Sequence, residues 1–143
     1  MMLYLLDTNV LSEPLKQMPN ATVMTMLEKH RHSIATAAPV WHELQYGCVR
    51  LPRSKKRNAI EQYLHHVVSS KINILPYDEA ASLWHAKERA RLEAIGRTPP
   101  FVDGQIAAIA KVNGLVLVTR NTKDFEMFSG LQLENWSALS AVS

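Results

Sequence analysis

The stretch Leu115-Val116-Leu117-Val118-Thr119-Arg120-Asn121-Thr122-Lys123-Asp124-Phe125 decides the fold class. Its first four residues are all Leu or Val. A run this short, with no polar alternation, predicts a strand that is central in its sheet and covered on both faces. Thr119 ends the apolar run. On the other side, Asn113-Gly114 closes an Ala/Ile-rich helical pattern over Val102–Val112. A helix feeding a fully apolar strand is the local signature of a parallel sheet.

The same alternation runs outward from there. Leu3–Leu6 predicts a strand that ends at Asp7. Asn9–Lys16 predicts a short helix, and Asn20 caps a second helix over Ala21–His30. Ser33–Ala37 is a second strand. Pro39 fits the first turn of a helix that runs to about Arg50. Pro52 and Ser54 open a helix that ends near Ser69. Ile72–Leu75 is a third strand, closed by Pro76. Asp78 caps a long helix over Glu79–Ile95, which stops at Gly96. Thr98-Pro99-Pro100 is a stiff connector, and Leu131–Leu133 is a last short strand. The expected fold is α/β: a mainly parallel central sheet with helices on both faces, as one domain over residues 1–143.

Composition narrows the functional classes. The 143 residues are 47% hydrophobic, as in an ordinary globular chain, so a disordered protein is excluded. Sixteen Lys and Arg against 13 Asp and Glu give +3, compatible with a polyanionic partner but far from a nucleic-acid coat. The single Cys48 excludes an internal disulfide framework and a Cys-rich zinc site. A reducing compartment, the cytoplasm, is expected. No apolar run is long enough to span a membrane, and the N-terminal run has no basic leader or cleavage pattern.

In an open α/β sheet, ligands bind beyond the carboxyl ends of the strands. Asp7 follows the first strand there. Asn121 and Asp124 follow Leu115–Val118. Glu43 sits in an apolar helical segment, and Asp103 shares a helix face with Ile106, Ala107 and Ala110. Each acid alone also reads as a cap, a first-turn acid or half of an ion pair. Together they supply only oxygen donors to one crevice, which selects a hard cation such as Mg²⁺ or Mn²⁺. That chemistry suits hydrolysis of a phosphate ester.

With those residues in place, the sequence resembles the PIN-domain ribonuclease toxins, specifically the VapC type and its FitB-like branch. The resemblance rests on Leu6-Asp7-Thr8-Asn9, Glu43-Leu44-Gln45-Tyr46-Gly47, Phe101-Val102-Asp103-Gly104-Gln105-Ile106-Ala107 and Val118–Phe125, with Asn9-Val10-Leu11-Ser12-Glu13-Pro14 pointing to the branch. It covers almost the whole chain. It implies a three-layer α/β/α sandwich and a Mg²⁺- or Mn²⁺-dependent endoribonuclease with a tRNA as target. It also implies a homodimer, a VapB-like cognate antitoxin that silences the enzyme, and operator DNA bound only through the antitoxin complex.

Carried over by position, Asp7, Glu43 and Asp103 match the family's main acids and metal ligands. The fourth acid falls at Asn121 or Asp124. Thr8, Asn9 and Thr119 match polar positions that orient the ligands. Arg97, Arg120 and Lys123 flank the acid-bearing segments and are candidates for contact with RNA or antitoxin. Trp41 and Trp84 read as core or interface anchors, and the histidines lack a metal-ligand pattern.

Two other readings compete. One is a weakly catalytic or inactive binding module that acts mainly in a DNA-bound autoregulatory complex with its antitoxin, suggested by Asn121. The other is an aspartate phospho-acceptor receiver, disfavoured because the first strand ends in one acid rather than a pair.

Overall fold

The structure, a computed structural model, describes residues 1–139, so 140–143 of the expected domain lie outside the described residues. Among the described residues, five strands form one sheet in the order β3-β2-β1-β4-β5. They are β1 (Tyr4–Leu6), β2 (Ile34–Ala37), β3 (Asn73–Leu75), β4 (Val116–Val118) and β5 (Leu133–Glu134). Every pairing is parallel. Helices cover both faces, giving the expected three-layer α/β/α arrangement.

The centre of the sheet is β1, not β4. Leu5 and Leu6 are fully buried, and Leu6 pairs with Thr36 on one side and Val118 on the other. The four-residue apolar run at Leu115–Val118 carried the sheet signal, but two consecutive buried leucines suffice for the middle position. β4 is still interior, and it is closed off by the two-residue β5.

The helices are α1 (Thr8–Leu11), α2 (Ala21–Lys29), α3 (Ala38–Val49), α4 (Lys55–Tyr63), α5 (Glu79–Ala94) and α6 (Phe101–Val112). Three expected caps are in place. Asn20 Oδ1 accepts from Val23 N at 3.0 Å, Asp78 Oδ1 from Ala81 N at 3.0 Å, and Ser54 Oγ from Arg57 N at 3.1 Å. Gly96 takes φ 72° at the end of α5, the left-handed turn for which glycine is the cheapest residue.

Three segments depart from expectation. The helix expected over 9–16 is split: α1 stops at Leu11, and Glu13–Leu15 is a 3₁₀ turn. Pro14 has no N–H to continue the α-helical ladder. The helix expected from Pro52 to Ser69 starts at Lys55 and widens into π-helical turns over Leu64–Ser69. The last strand lies at Leu133–Glu134, slightly later than expected, where Leu117 N and Thr119 N donate to Gln132 O and Glu134 O.

The core gathers Leu5, Leu6, Val10, Leu44, Leu64, Ile106, Ile109 and Leu117, with Trp136 as its largest buried side chain. Trp41 and Trp84 pack against it half-buried. Among the described residues, no helix is long and apolar enough to cross a membrane.

Candidate active site

In this strand order, β1 leads to β2 and β3 on one side while β4 and β5 lie on the other. The sheet therefore changes direction beside β1, and the crevice beyond the β1 and β4 carboxyl ends is where such folds bind ligands. Asp7 and Thr119 are the first residues past those two strands.

Asp7 is buried and tightly held. Oδ1 accepts from Thr8 N at 2.8 Å, which caps α1, and Oδ2 accepts from the Thr119 hydroxyl at 2.8 Å. Its backbone N–H donates to Val118 O, so the residue extends the β1–β4 ladder. Thr119 in turn accepts from Asn9 Nδ2 at 3.4 Å and from Asn121 N at 3.1 Å. Asn9 Oδ1 accepts from Arg120 N at 3.1 Å. Thr8, Asn9 and Thr119 thus sit around Asp7 in one hydrogen-bonded frame. On α3, Glu43 is exposed at the rim and accepts from the Thr8 hydroxyl at 2.8 Å.

Asp103 stands in the first turn of α6. Its neighbours on the helix face, Ile106, Ala107 and Ala110, are buried as expected, while Asp103 itself lies half-buried at the edge of that face. Loss of solvent pushes its carboxyl up to about 6, and the charges of Asp7, Asp124 and Glu43 add to the rise. Burial also raises Asp7. The Thr119 and Thr8 hydrogen bonds oppose that rise, and Glu43 and Asp124 reinforce it. The four acids therefore feel one another. Asp124 ends a 3₁₀ turn, Thr122–Asp124, and Asn121 precedes it; both are exposed. Of these two, Asp124 is the one with a carboxylate, and its charge adds to the rise at Asp7 and Asp103.

Among the described residues, no three His, Cys, Asp or Glu side chains form a ready-made cage around one ion. Mg²⁺ does not require such a cage. It commonly takes one or two carboxylates, keeps several waters and completes its shell with substrate phosphate. The donors here are all oxygen, and two carboxyls are held above their usual range, first by burial and then by neighbours of like charge. A hard cation relieves that repulsion, so the residues fit one. A cavity of about 390 Å³ borders Glu43, with His42, Tyr77, Val102 and Gln105 also in its walls.

The candidate contact residues divide. Lys123 is exposed in the turn that carries Asp124, and Arg97 is exposed after α5. Arg120 is partly exposed, and its guanidinium is ion-paired with Glu13, a buried residue that sequence reasoning passed over as a candidate. The only sequence signal for Glu13 was its place in Ser12-Glu13-Pro14.

A doubly flanked parallel sheet with carboxylates gathered at its switch point defines a class of α/β proteins with an acidic crevice at the carboxyl ends of the strands. Within that class, the PIN-domain family model matches residues 4–130, and the chain belongs to the PIN-domain family. Toxin FitB of Neisseria gonorrhoeae is 35% identical over 124 residues, covering 85% of this chain and 89% of that protein. The tRNA(fMet)-specific endonuclease VapC of Shigella flexneri is 33% identical over 138 residues, covering 96% and 100%. Among solved structures, DNA-bound VapBC from Salmonella typhimurium superposes with a TM-score of 0.83 at 26% identity, covering 95% of this chain and 99% of that one.

Proposed function

We propose that this chain is the toxin of a type II toxin–antitoxin pair, a Mg²⁺- or Mn²⁺-dependent endoribonuclease with tRNA as its substrate class. The observation that carries the reading is the carboxylate cluster at the β1–β4 switch point, where the Thr8 N–H and the Thr119 hydroxyl fix both oxygens of Asp7 and the Thr8 hydroxyl donates to Glu43. A toxin and a tRNA endonuclease of similar length and sequence support it.

Asp7 and Asp103 would hold the cation. Glu43, oriented by the Thr8 hydroxyl, would hold it directly or through water, and Asp124 would add charge from the β4 side. A bound divalent ion supplies Lewis-acid polarisation of a phosphodiester and a water of lowered pKa. The chain's own contribution is orientation: Thr119 and Thr8 fix both oxygens of Asp7, so the carboxylate does not rotate as substrate enters. Lys123 and Arg97 meet the flanking phosphates. Attack by water leaves a 3′-hydroxyl and a 5′-phosphate. A VapB-like antitoxin silences the site, and the complex, formed on a homodimer of this chain, is what meets operator DNA, as the DNA-bound VapBC suggests.

The test is cleavage of total RNA by the purified, partner-free chain with Mg²⁺ or Mn²⁺, beside Asp7→Asn and Asp103→Asn. Loss of cleavage in both variants is expected. Equal cleavage in both overturns the site, and no cleavage by the unsubstituted chain on any RNA favours the binding-module reading.

A further inference from the structure

Glu13 touches none of the four acids' partners, yet its side chain is 1% exposed. One oxygen takes the Arg120 guanidinium and, at 3.4 Å, the Asn20 N–H; the other takes Lys16 Nζ at 2.9 Å. Burial pushes this carboxyl up, but Lys16, Arg120 and the Asn20 N–H outweigh that and hold it below its usual value.

Only the Glu13 end of this pair is buried; the Arg120 side chain is 30% exposed. Desolvating a carboxylate offsets much of what its ion pair gains, so the pair is a poor device for stability alone. Apolar side chains of similar volume often do as well or better, whereas deleting one partner of such a pair is strongly destabilising. What the pair provides here is location. Arg120 is the residue after Thr119, and its backbone N–H donates to Asn9 Oδ1. Asn9 donates to Thr119, and Thr119 donates to Asp7 Oδ2. An unbroken run of bonds connects the Glu13–Arg120 pair to the most buried acid of the site. The same clamp sets the chain just before Asn121 and Asp124.

We propose that Glu13 is a positioning residue for the acid site: by clamping Arg120 it fixes the 119–124 loop and the orientation of Asp7. It touches neither cation nor substrate. This rests on the reading of the acid cluster as a cation site. It also assigns Arg120 a structural partner inside the protein, in place of a free role in RNA contact.

The experiment is Mn²⁺ titration of the partner-free full chain, followed by electron paramagnetic resonance of the free ion, with RNA cleavage alongside. Glu13→Gln is expected to raise the Mn²⁺ Kd about 10-fold, the low end for residues that support metal ligands. It lowers kcat and leaves the KM for RNA near the unsubstituted value. Arg120→Gln does the same. The double variant is no worse than the worse single, because the two act as one unit.

Asp7→Asn separates the two ideas. Weak Mn²⁺ binding in Asp7→Asn together with unchanged binding in Glu13→Gln overturns the positioning role and leaves the site standing. Unchanged binding in Asp7→Asn overturns the site itself. Should Glu13→Gln not fold, Glu13→Met/Arg120→Met removes both charges and retains volume. A Kd equal to that of the unsubstituted chain in that folded double variant also overturns the role.

Discussion

The Thr119 hydroxyl donates to Asp7 Oδ2 at 2.8 Å, with Thr119 fully buried and Asp7 nearly so. The two residues are 112 positions apart in sequence, yet they are consecutive around the crevice because β1 and β4 are adjacent parallel strands. A hydrogen bond to a charged, buried group contributes about 1.5–3 kcal/mol. Thr119→Val keeps the shape and removes the donor. It is expected to lower unfolding free energy by about 1–2 kcal/mol in urea melts and to weaken Mn²⁺ binding about 10-fold or more. Thr119→Ser, which retains the hydroxyl, restores most of both.

Metal-free stability should depend on pH in an unusual direction for an acid. The folded-state Asp103 carboxyl titrates near 6, above its usual value of 3.8, so the native chain binds the proton more tightly than the unfolded chain does. The stability this contributes is complete below the unfolded value and is lost as pH rises through 6. Asp103→Asn removes the term. In EDTA at pH 7 it is expected to stabilise the fold by about 1 kcal/mol, a figure reduced from the full shift because the group is half-exposed. The gain shrinks by pH 4.5. The difference between the two chains isolates Asp103 from His85, whose burial, with Arg89 nearby, lowers its pKa and opposes the trend. Urea melts at the two pH values decide it; a gain that does not change with pH contradicts the prediction.

Much of this was legible from local chemistry. Apolar runs marked β1 to β4, and Asn20, Ser54 and Asp78 marked helix starts, because a cap needs only a side chain and the N–H groups just after it. Asp7 was legible as a strand-end acid. Glu43 and Asp103 stood out as carboxylates in apolar helical surroundings, but only the resemblance gave them roles, since nothing in a helix pattern says which crevice it borders. Sheet order was not legible: β1 won the centre through crossovers that no short window contains. Glu13 was missed for the same reason, because its partner Arg120 is 107 positions away.

Divalent metal should act on stability as well as on cleavage. An ion that binds only the native chain stabilises it by about 2.7 kcal/mol at 100 times its Kd. Millimolar Mg²⁺ or Mn²⁺ is therefore expected to raise the melting temperature, with EDTA reversing the shift. Asp7→Asn should lose most of that shift, measured against its own metal-free melting temperature. Equal shifts in both chains, read by calorimetry at pH 7.5, would place the ion elsewhere.

Gly104 links the packing of α6 to the site. A Cβ built on it lies 2.1 Å from His85 Nε2 and 2.6 Å from His85 Cδ2, closer than any real contact. The imidazole has little freedom to move away: it is 2% exposed, bonded through Nδ1 to the Tyr77 hydroxyl at 2.8 Å and packed against the Phe101 ring. Gly104→Ala must therefore push α6 off α5, and the displaced turn is the one that carries Asp103. Overpacking of this kind costs about 1–3 kcal/mol. Cleavage should fall with it, through displacement of the carboxylate. The second substitution His85→Ala vacates the space. In the double variant, stability should recover toward that of His85→Ala alone, giving a favourable coupling of about 1 kcal/mol or more in a double-mutant cycle. Strictly additive losses would show that the imidazole turns aside at little cost and that α6 does not depend on this contact for its place.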